Sequence, residues 1–171
     1  YFSTQVMGPM GEVVNASWGM LGNSKTAVIE VANACGLSLV PLENRNPMIA
    51  TSHGVGELIL AAVNEGANHI IIGLGGSASN DGGAGLLQAL GVRLLDISGN
   101  QLNRGGGSLS SLSSIDPGAI DSRLQGVSFE VACDVDNPLL GPQGTSVIFA
   151  PQKGANSEMI AQLDANLTHY S

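Results

Sequence analysis

Cations are scarce in this chain. Six Lys plus Arg stand against fourteen Asp plus Glu, a formal charge of -8, and they are scattered as Lys25, Arg45, Arg93, Arg104, Arg123 and Lys153. Such a surface repels nucleic acid. It also means that any phosphate handled here is held by backbone amides, by a metal ion or by cations from another segment. Cys35 and Cys133 are the only cysteines and have no metal-type spacing. They read as reduced thiols of a cytoplasmic protein rather than as a disulfide. Aromatic residues make up 4% of the chain, and Trp18, Phe129 and Phe149 are read as core rather than as a ligand platform. No apolar run approaches a bilayer span, and no basic stretch followed by an apolar core opens the chain, so neither a membrane segment nor a signal peptide is expected. With 43% hydrophobic and 12% charged residues, 171 residues are enough for one globular α/β unit or for one part of a larger enzyme.

Glycine, by contrast, is abundant. It is densest at residues 69–91, HIIIGLGGSASNDGGAGLLQALG. Ile70, Ile71 and Ile72 predict a strand buried on both faces of a sheet. Gly73, Gly75, Gly76, Gly82, Gly83 and Gly85 leave main-chain amides bare, while Ser77, Ser79, Asn80 and Asp81 add polar side chains. From Ala84 the leucines at 86, 87 and 90 take helical spacing, and Gly91 stands where a helix commonly stops.

Around this strand, loop and helix the chain is read in order. Residues 2–31 predict a three-stranded antiparallel meander, turned at Gly8-Pro9-Met10-Gly11 and at Gly22-Asn23. Residues 32–36 predict a short helical piece and 37–47 an irregular connection. Thr51 and Ser52 precede a helix with Val55, Leu58, Ile59, Ala62 and Val63 on one face and Gly66 at its end. Residues 92–95 predict a strand, 99–122 a surface loop with one short helix, 127–133 and 145–149 two more strands, and a last helix from Asn156 or Ser157 buries Met159, Ile160, Leu163 and Leu167. Hairpins first and βα units later imply a mixed sheet covered by helices.

The glycine loop admits three readings. It is no Walker P-loop, because that motif needs Gly-Lys-Ser or Gly-Lys-Thr and this loop has no Lys. As a dinucleotide fingerprint, Gly73-x-Gly75-x-x-Ala78 with Asp96 further on gives the alternative of a dehydrogenase domain. That match needs 79–83 to be helical, and its two adjacent glycines cost about 2 kcal/mol against alanines. The preferred reading is a wider anion-binding loop ending at a helix N-terminus. Within it Asp81 has two compatible roles, a helix cap or a base or ligand facing the anion. Asp134 and Asp136, two apart at the end of a predicted strand, share a face and suit Mg²⁺, against the plainer role of leaving the strand through Asp-Asn-Pro. Lys153 is a solvated turn lysine or a neutraliser of phosphate. His53 is read as structural before it is read as a substrate contact.

Several longer stretches then converge. Gly54-Val55-Gly56-Glu57, IIIGLGGSASNDGGAGLLQALGV at 70–92, ACDVDNPLLGPQGTS at 132–146, FAPQKGA at 149–155 and Gly8-Pro9-Met10-Gly11 lie in the order and spacing of the bacterial glycerate kinases, which this chain resembles over its whole length. The resemblance implies a two-domain α/β enzyme of roughly twice this length, with residues 1–171 as its inserted central unit and the flanking parts absent. It implies ATP-dependent phosphorylation of D-glycerate. The partners are then small molecules, with no nucleic acid or membrane and a homodimer left open. On that basis Gly75, Gly76, Ser77, Ser79, Asn80, Gly82 and Gly83 are expected to hold carboxylate or phosphate, with Lys153 on a phosphate oxygen. Asp81 would orient the glycerate hydroxyl, and Asp134 and Asp136 would organise Mg²⁺ with ATP. A non-catalytic fragment that binds a small acid is the remaining alternative.

Overall fold

A computed structural model describes residues 1–22 and 24–171. Strands β1 (Phe2–Met7), β2 (Val13–Met20) and β3 (Thr26–Glu30) form the expected antiparallel meander. Its first turn is closed by Gly8 N–H donating to the Glu12 carbonyl at 2.6 Å; Asn23 of the second lies outside the described residues. Strand β3 is then continued by β4 (His69–Gly73) and β7 (Ser128–Ala132), both parallel to it, giving the order β1-β2-β3-β4-β7.

Helices α1 (Val31–Cys35) and α2 (His53–Asn64) make the crossover from β3 to β4. The apolar stripe of α2 lands where the 3.6-residue period requires, with Val55, Leu58, Ile59 and Ala62 buried against Val6, Trp18, Ile29 and Ile70. Ile70 and Ile72 point into this core while Ile71 is only half-buried. The expectation of a strand buried on both faces is therefore met on one face.

A second, smaller core gathers Ala84, Val92, Leu94, Leu102, Leu109 and Leu167 beneath α3 (Ala84–Ala89) and α5 (Ser157–Tyr170). The Asn156 side chain caps α5 by accepting from Met159 N–H at 2.9 Å. Leu163 and Leu167 are buried as expected, whereas Met159 and Ile160 remain half-buried.

The strand expected at 92–95 forms as β5 (Arg93–Leu95) and pairs with β6 (Ser114–Asp116) as a ribbon separate from the main sheet. Two expectations need correction. Residues Thr145–Phe149, read as a strand from their β-branched and aromatic content, form the short helix α4. A run of five apolar-rich residues carries too little periodicity to separate the two, and packing decides: Ser146 is wholly buried and accepts from the Asn80 amide at 3.0 Å. Phe129, read as core, is 46% exposed, because β7 ends the sheet with both of its faces open.

Candidate functional site

The parallel strands β3, β4 and β7 all end on one side, at Glu30, Gly73 and Ala132. In open α/β sheets ligands bind beyond the carboxyl ends of such strands. Here a cavity of about 570 Å³ opens there, lined by Glu30, Gly73, Gly75, Cys133 and Asp134 among others.

The glycine loop leaves β4 into this cavity and divides into two halves. Leu74 N–H donates to the Ala132 carbonyl at 3.1 Å and Ala78 N–H to the Cys35 carbonyl at 2.7 Å. Between those anchors, the N–H groups of Gly75, Gly76 and Ser77 find no acceptor among the described residues, and Gly75 and Gly76 are exposed. Gly76 has φ +66°, a left-handed conformation that a side chain disfavours. This open half presents bare donors to a ligand.

The second half turns inward. Ser79, Asn80 and Asp81 are 7%, 6% and 2% exposed, so these polar groups are spent on the protein itself. Asp81 Oδ2 accepts from Ser52 N–H at 2.9 Å, from Ser52 Oγ–H at 2.8 Å and from Gly85 N–H at 3.2 Å, and Oδ1 accepts from Gly83 N–H at 3.2 Å. Ser52 Oγ in turn accepts from Leu86 N–H at 3.0 Å. One carboxylate thus satisfies orphan amides at the starts of both α2 and α3. Gly85 lets the two approach: a Cβ there would lie 2.2 Å from Thr51 Oγ1. Of the two roles the sequence leaves to Asp81, this geometry is that of the cap, extended to a second helix.

Lys153 is not a solvated turn lysine. It is 7% exposed, and its Nζ donates to Ser77 Oγ at 3.1 Å and to the Ser79 carbonyl at 2.5 Å. It enters no ion pair among the described residues. Burial lowers its pKa, while the Cys35 thiol and Asp81 act in the opposite direction. An ammonium under a loop of bare amides, with donor capacity left over, is an arrangement that suits an anion. Its position depends on Arg45, which sequence reasoning passed over: the guanidinium donates to the carbonyls of Gln152 at 3.0 Å, Leu37 at 3.2 Å and Val40 at 3.3 Å. That tether locks the turn carrying Lys153 against the connection after α1. A lone arginine in an irregular stretch offers no sequence signal for it.

Asp134 and Asp136 lie beyond the end of β7, both exposed, so the extended backbone that would put them on one face has ended. Asp134 lines the cavity at the strand ends, and Asn137 closes its own loop by donating to the Gln143 carbonyl at 3.1 Å. Among the described residues no three His, Cys, Asp or Glu side chains are grouped to hold a metal ion. The dinucleotide alternative finds no support. Its acidic residue, Asp96, sits on the ribbon and accepts from Ser98 N–H, Asn100 N–H and the Asn100 amide, and the helix begins only at Ala84.

The family model for the glycerate kinase family matches residues 1–171. A glycerate kinase of Bacillus subtilis (strain 168) is 58% identical over 166 residues, covering 97% of this chain and 44% of that protein. A glycerate 2-kinase of Escherichia coli (strain K12) shows the same identity and coverage. The crystal structure of a protein assigned as glycerate kinase 2 from Salmonella typhimurium LT2 superposes with a TM-score of 0.95 at 53% identity, over 99% of this chain and 46% of that one. The chain therefore spans less than half the length of the relatives it matches.

Proposed function

The chain belongs to the glycerate kinase family, and we propose that it supplies the phosphate-binding half of an enzyme that phosphorylates D-glycerate with ATP. The observation that carries this reading is the pairing of bare amides at Gly75, Gly76 and Ser77 with the buried ammonium of Lys153. Phosphoryl transfer asks a protein mainly for positioning and for charge neutralisation, and both are offered here by groups that need no reorganisation. The amides cradle phosphate oxygens, and Lys153, already held by Ser77 and Ser79, directs its remaining donor at them. Gly82 and Gly83 give the loop its return to α3, with φ of +57° and +80°. Ser79 and Asn80 brace the loop from within.

Asp81 acts as a positioning residue, fixing the loop against the starts of α2 and α3. A magnesium ion carried in with the nucleotide would supply further charge neutralisation to the triphosphate. Asp134, a hard oxygen donor lining the cavity, would hold such an ion in the mode where it keeps several waters, with Asp136 two residues further along the same exposed segment. The exposed apolar residues of β7, Phe129 at 46% and Val131 at 55%, suit a surface covered by the remainder of a longer enzyme, with residues 1–171 as its central unit. Free thiols at Cys35 and Cys133 fit a cytoplasmic setting.

Release of ADP from ATP and Mg²⁺, measured with and without D-glycerate on the full-length protein carrying this chain, tests the proposal. Glycerate-dependent ADP release that is lost in Lys153→Met supports it. ADP release indifferent to glycerate overturns it.

A further inference from the structure

The proposed phosphate site leaves unused a place where two arginines come together. A second cavity, of about 460 Å³, lies against the first turn of α2, the end of α3 and the segment 91–104, and is lined by His53, Gln88, Arg93, Gln101, Asn103 and Arg104 among others. Two of the four arginines of a chain with net charge -8 meet here. Arg93 is partly answered by Asp116 at 3.5 Å. Arg104 enters no ion pair among the described residues.

What Arg104 does meet is a poor partner. Its Nη2 lies 3.4 Å from His53 Nε2, so the ring can serve only as the acceptor and carries its proton on Nδ1. Burial and the neighbouring guanidinium both lower the pKa of His53, with Glu57, 3.6 Å from Nδ1, opposing them. A guanidinium fork facing a neutral ring has donors to spare, and a planar carboxylate is the group that matches such a fork. The amides of Gln101 and Asn103 line the same wall, and both residues are exposed to an incoming ligand. Gln88 is oriented by its Nε2 donating to the Leu102 carbonyl at 3.0 Å. A rim of amides around one cation suits a small molecule that carries hydroxyls beside its carboxylate.

We infer that this cavity seats the carboxylate end of a small hydroxy acid, with Arg104 as its clasp. The inference rests on the proposed function in one respect only, that the acid in question is D-glycerate. The cavity is joined to the glycine loop through His53, whose neighbour Ser52 is bonded to Asp81. A substrate held at Arg104 is thereby placed from the same element that fixes the loop.

The test uses the full-length protein. D-glycerate is titrated without nucleotide by calorimetry, and in parallel inorganic phosphate. Arg104→Gln is compared with Arg123→Gln, a control at a guanidinium already paired with Asp121. Arg104→Gln is expected to weaken D-glycerate binding by about 10-fold or more. It should raise KM for D-glycerate with KM for ATP unchanged, and Arg104→Lys should recover part of the loss. Thermal melts verify that each variant is folded. Unchanged glycerate affinity in folded Arg104→Gln, or no glycerate binding by the wild type, overturns the inference. Loss of phosphate binding alone makes the cavity a phosphate seat and overturns it equally. The two readings fail separately: binding that depends on Arg104 without turnover sinks the kinase assignment, and turnover with an unmoved KM sinks this one.

Discussion

Replacing Asp81 by alanine removes the acceptor for four donors at once, Ser52 N–H, Ser52 Oγ–H, Gly83 N–H and Gly85 N–H, in a place 2% exposed. A hydrogen bond to an ionised group is worth roughly 1.5–3 kcal/mol, but bonds converging on one carboxylate do not add. A buried donor left without its acceptor costs about 1–3 kcal/mol, and with four of them only partly re-satisfied Asp81→Ala is expected to cost about 4 kcal/mol. That is a large share of the roughly 5–15 kcal/mol that holds a domain together. At about 2–4 °C per kcal/mol for a chain of this size, the melting temperature falls by roughly 8–16 °C. Asp81→Asn keeps one acceptor oxygen but turns an NH₂ toward backbone donors, and loses about half as much. Thermal melts and urea titrations read both variants, with the m-value expected to stay constant. If Asp81→Ala melts within about 2 °C of the wild type while turnover disappears, the carboxylate belongs at the reacting hydroxyl and the clamp argument is wrong.

Other expectations follow from the same geometry. Lys153→Met should change stability by less than about 1.5 kcal/mol, because relief of ammonium desolvation offsets the two lost bonds, while ATP affinity drops by at least about 10-fold; a loss of stability near 4 kcal/mol would instead make Lys153 a structural pin. Gly75→Ala meets nothing within 4 Å and should melt like the wild type, whereas Gly76→Ala, at φ +66°, should lose about 1 kcal/mol. Both add a methyl to the segment that carries the bare amides, so both should weaken nucleotide binding in equilibrium titrations, and intact binding in both would remove the loop from the site. His53 has a pKa below its ordinary 6.5, so the unfolded chain takes up a proton at a higher pH than the folded one. The stability this contributes is complete above pH 6.5 and is lost as pH falls from there through the lower folded value. Urea midpoints at pH 7.5 and 5.5 should differ less in His53→Gln than in the wild type, and an equal or greater difference would contradict the sign.

The sheet was legible wherever strands were separated by strong turns or ended at glycines. Gly8-Pro9-Met10-Gly11 located the first hairpin, and the stripe from Val55 to Ala62 identified the face of α2 that is buried in the core. What local pattern does not carry is the partner of a short segment. Arg93–Leu95 looks like any other strand, yet it is taken by Ser114–Asp116 because the loop between them closes that ribbon before the chain returns to the main sheet. Thr145–Phe149 has the composition of a strand, yet it is helical and packs through a contact sixty-six residues away, between Ser146 and Asn80, that no local pattern announces.

The site was legible as a loop but not as two halves. Glycine density announces bare amides, and a Ser-Asn-Asp run announces polar side chains, but the sequence cannot say that they face opposite ways. That division follows from the anchors. Once Ala78 N–H is bound to the Cys35 carbonyl, the chain beyond it is committed to the interior, and Ser79, Asn80 and Asp81 must find internal partners because buried polar groups are costly when unpaired. They find them in Lys153, Ser146 and Ser52, residues of three separate elements. The polar half of the loop therefore serves binding indirectly: by spending its own hydrogen bonds on the scaffold it leaves Gly75, Gly76 and Ser77 rigidly displayed with theirs unspent. The economy in cations is explained by the same arrangement, since a fixed set of amides and one sheltered ammonium can hold an anion that an acidic surface would otherwise repel.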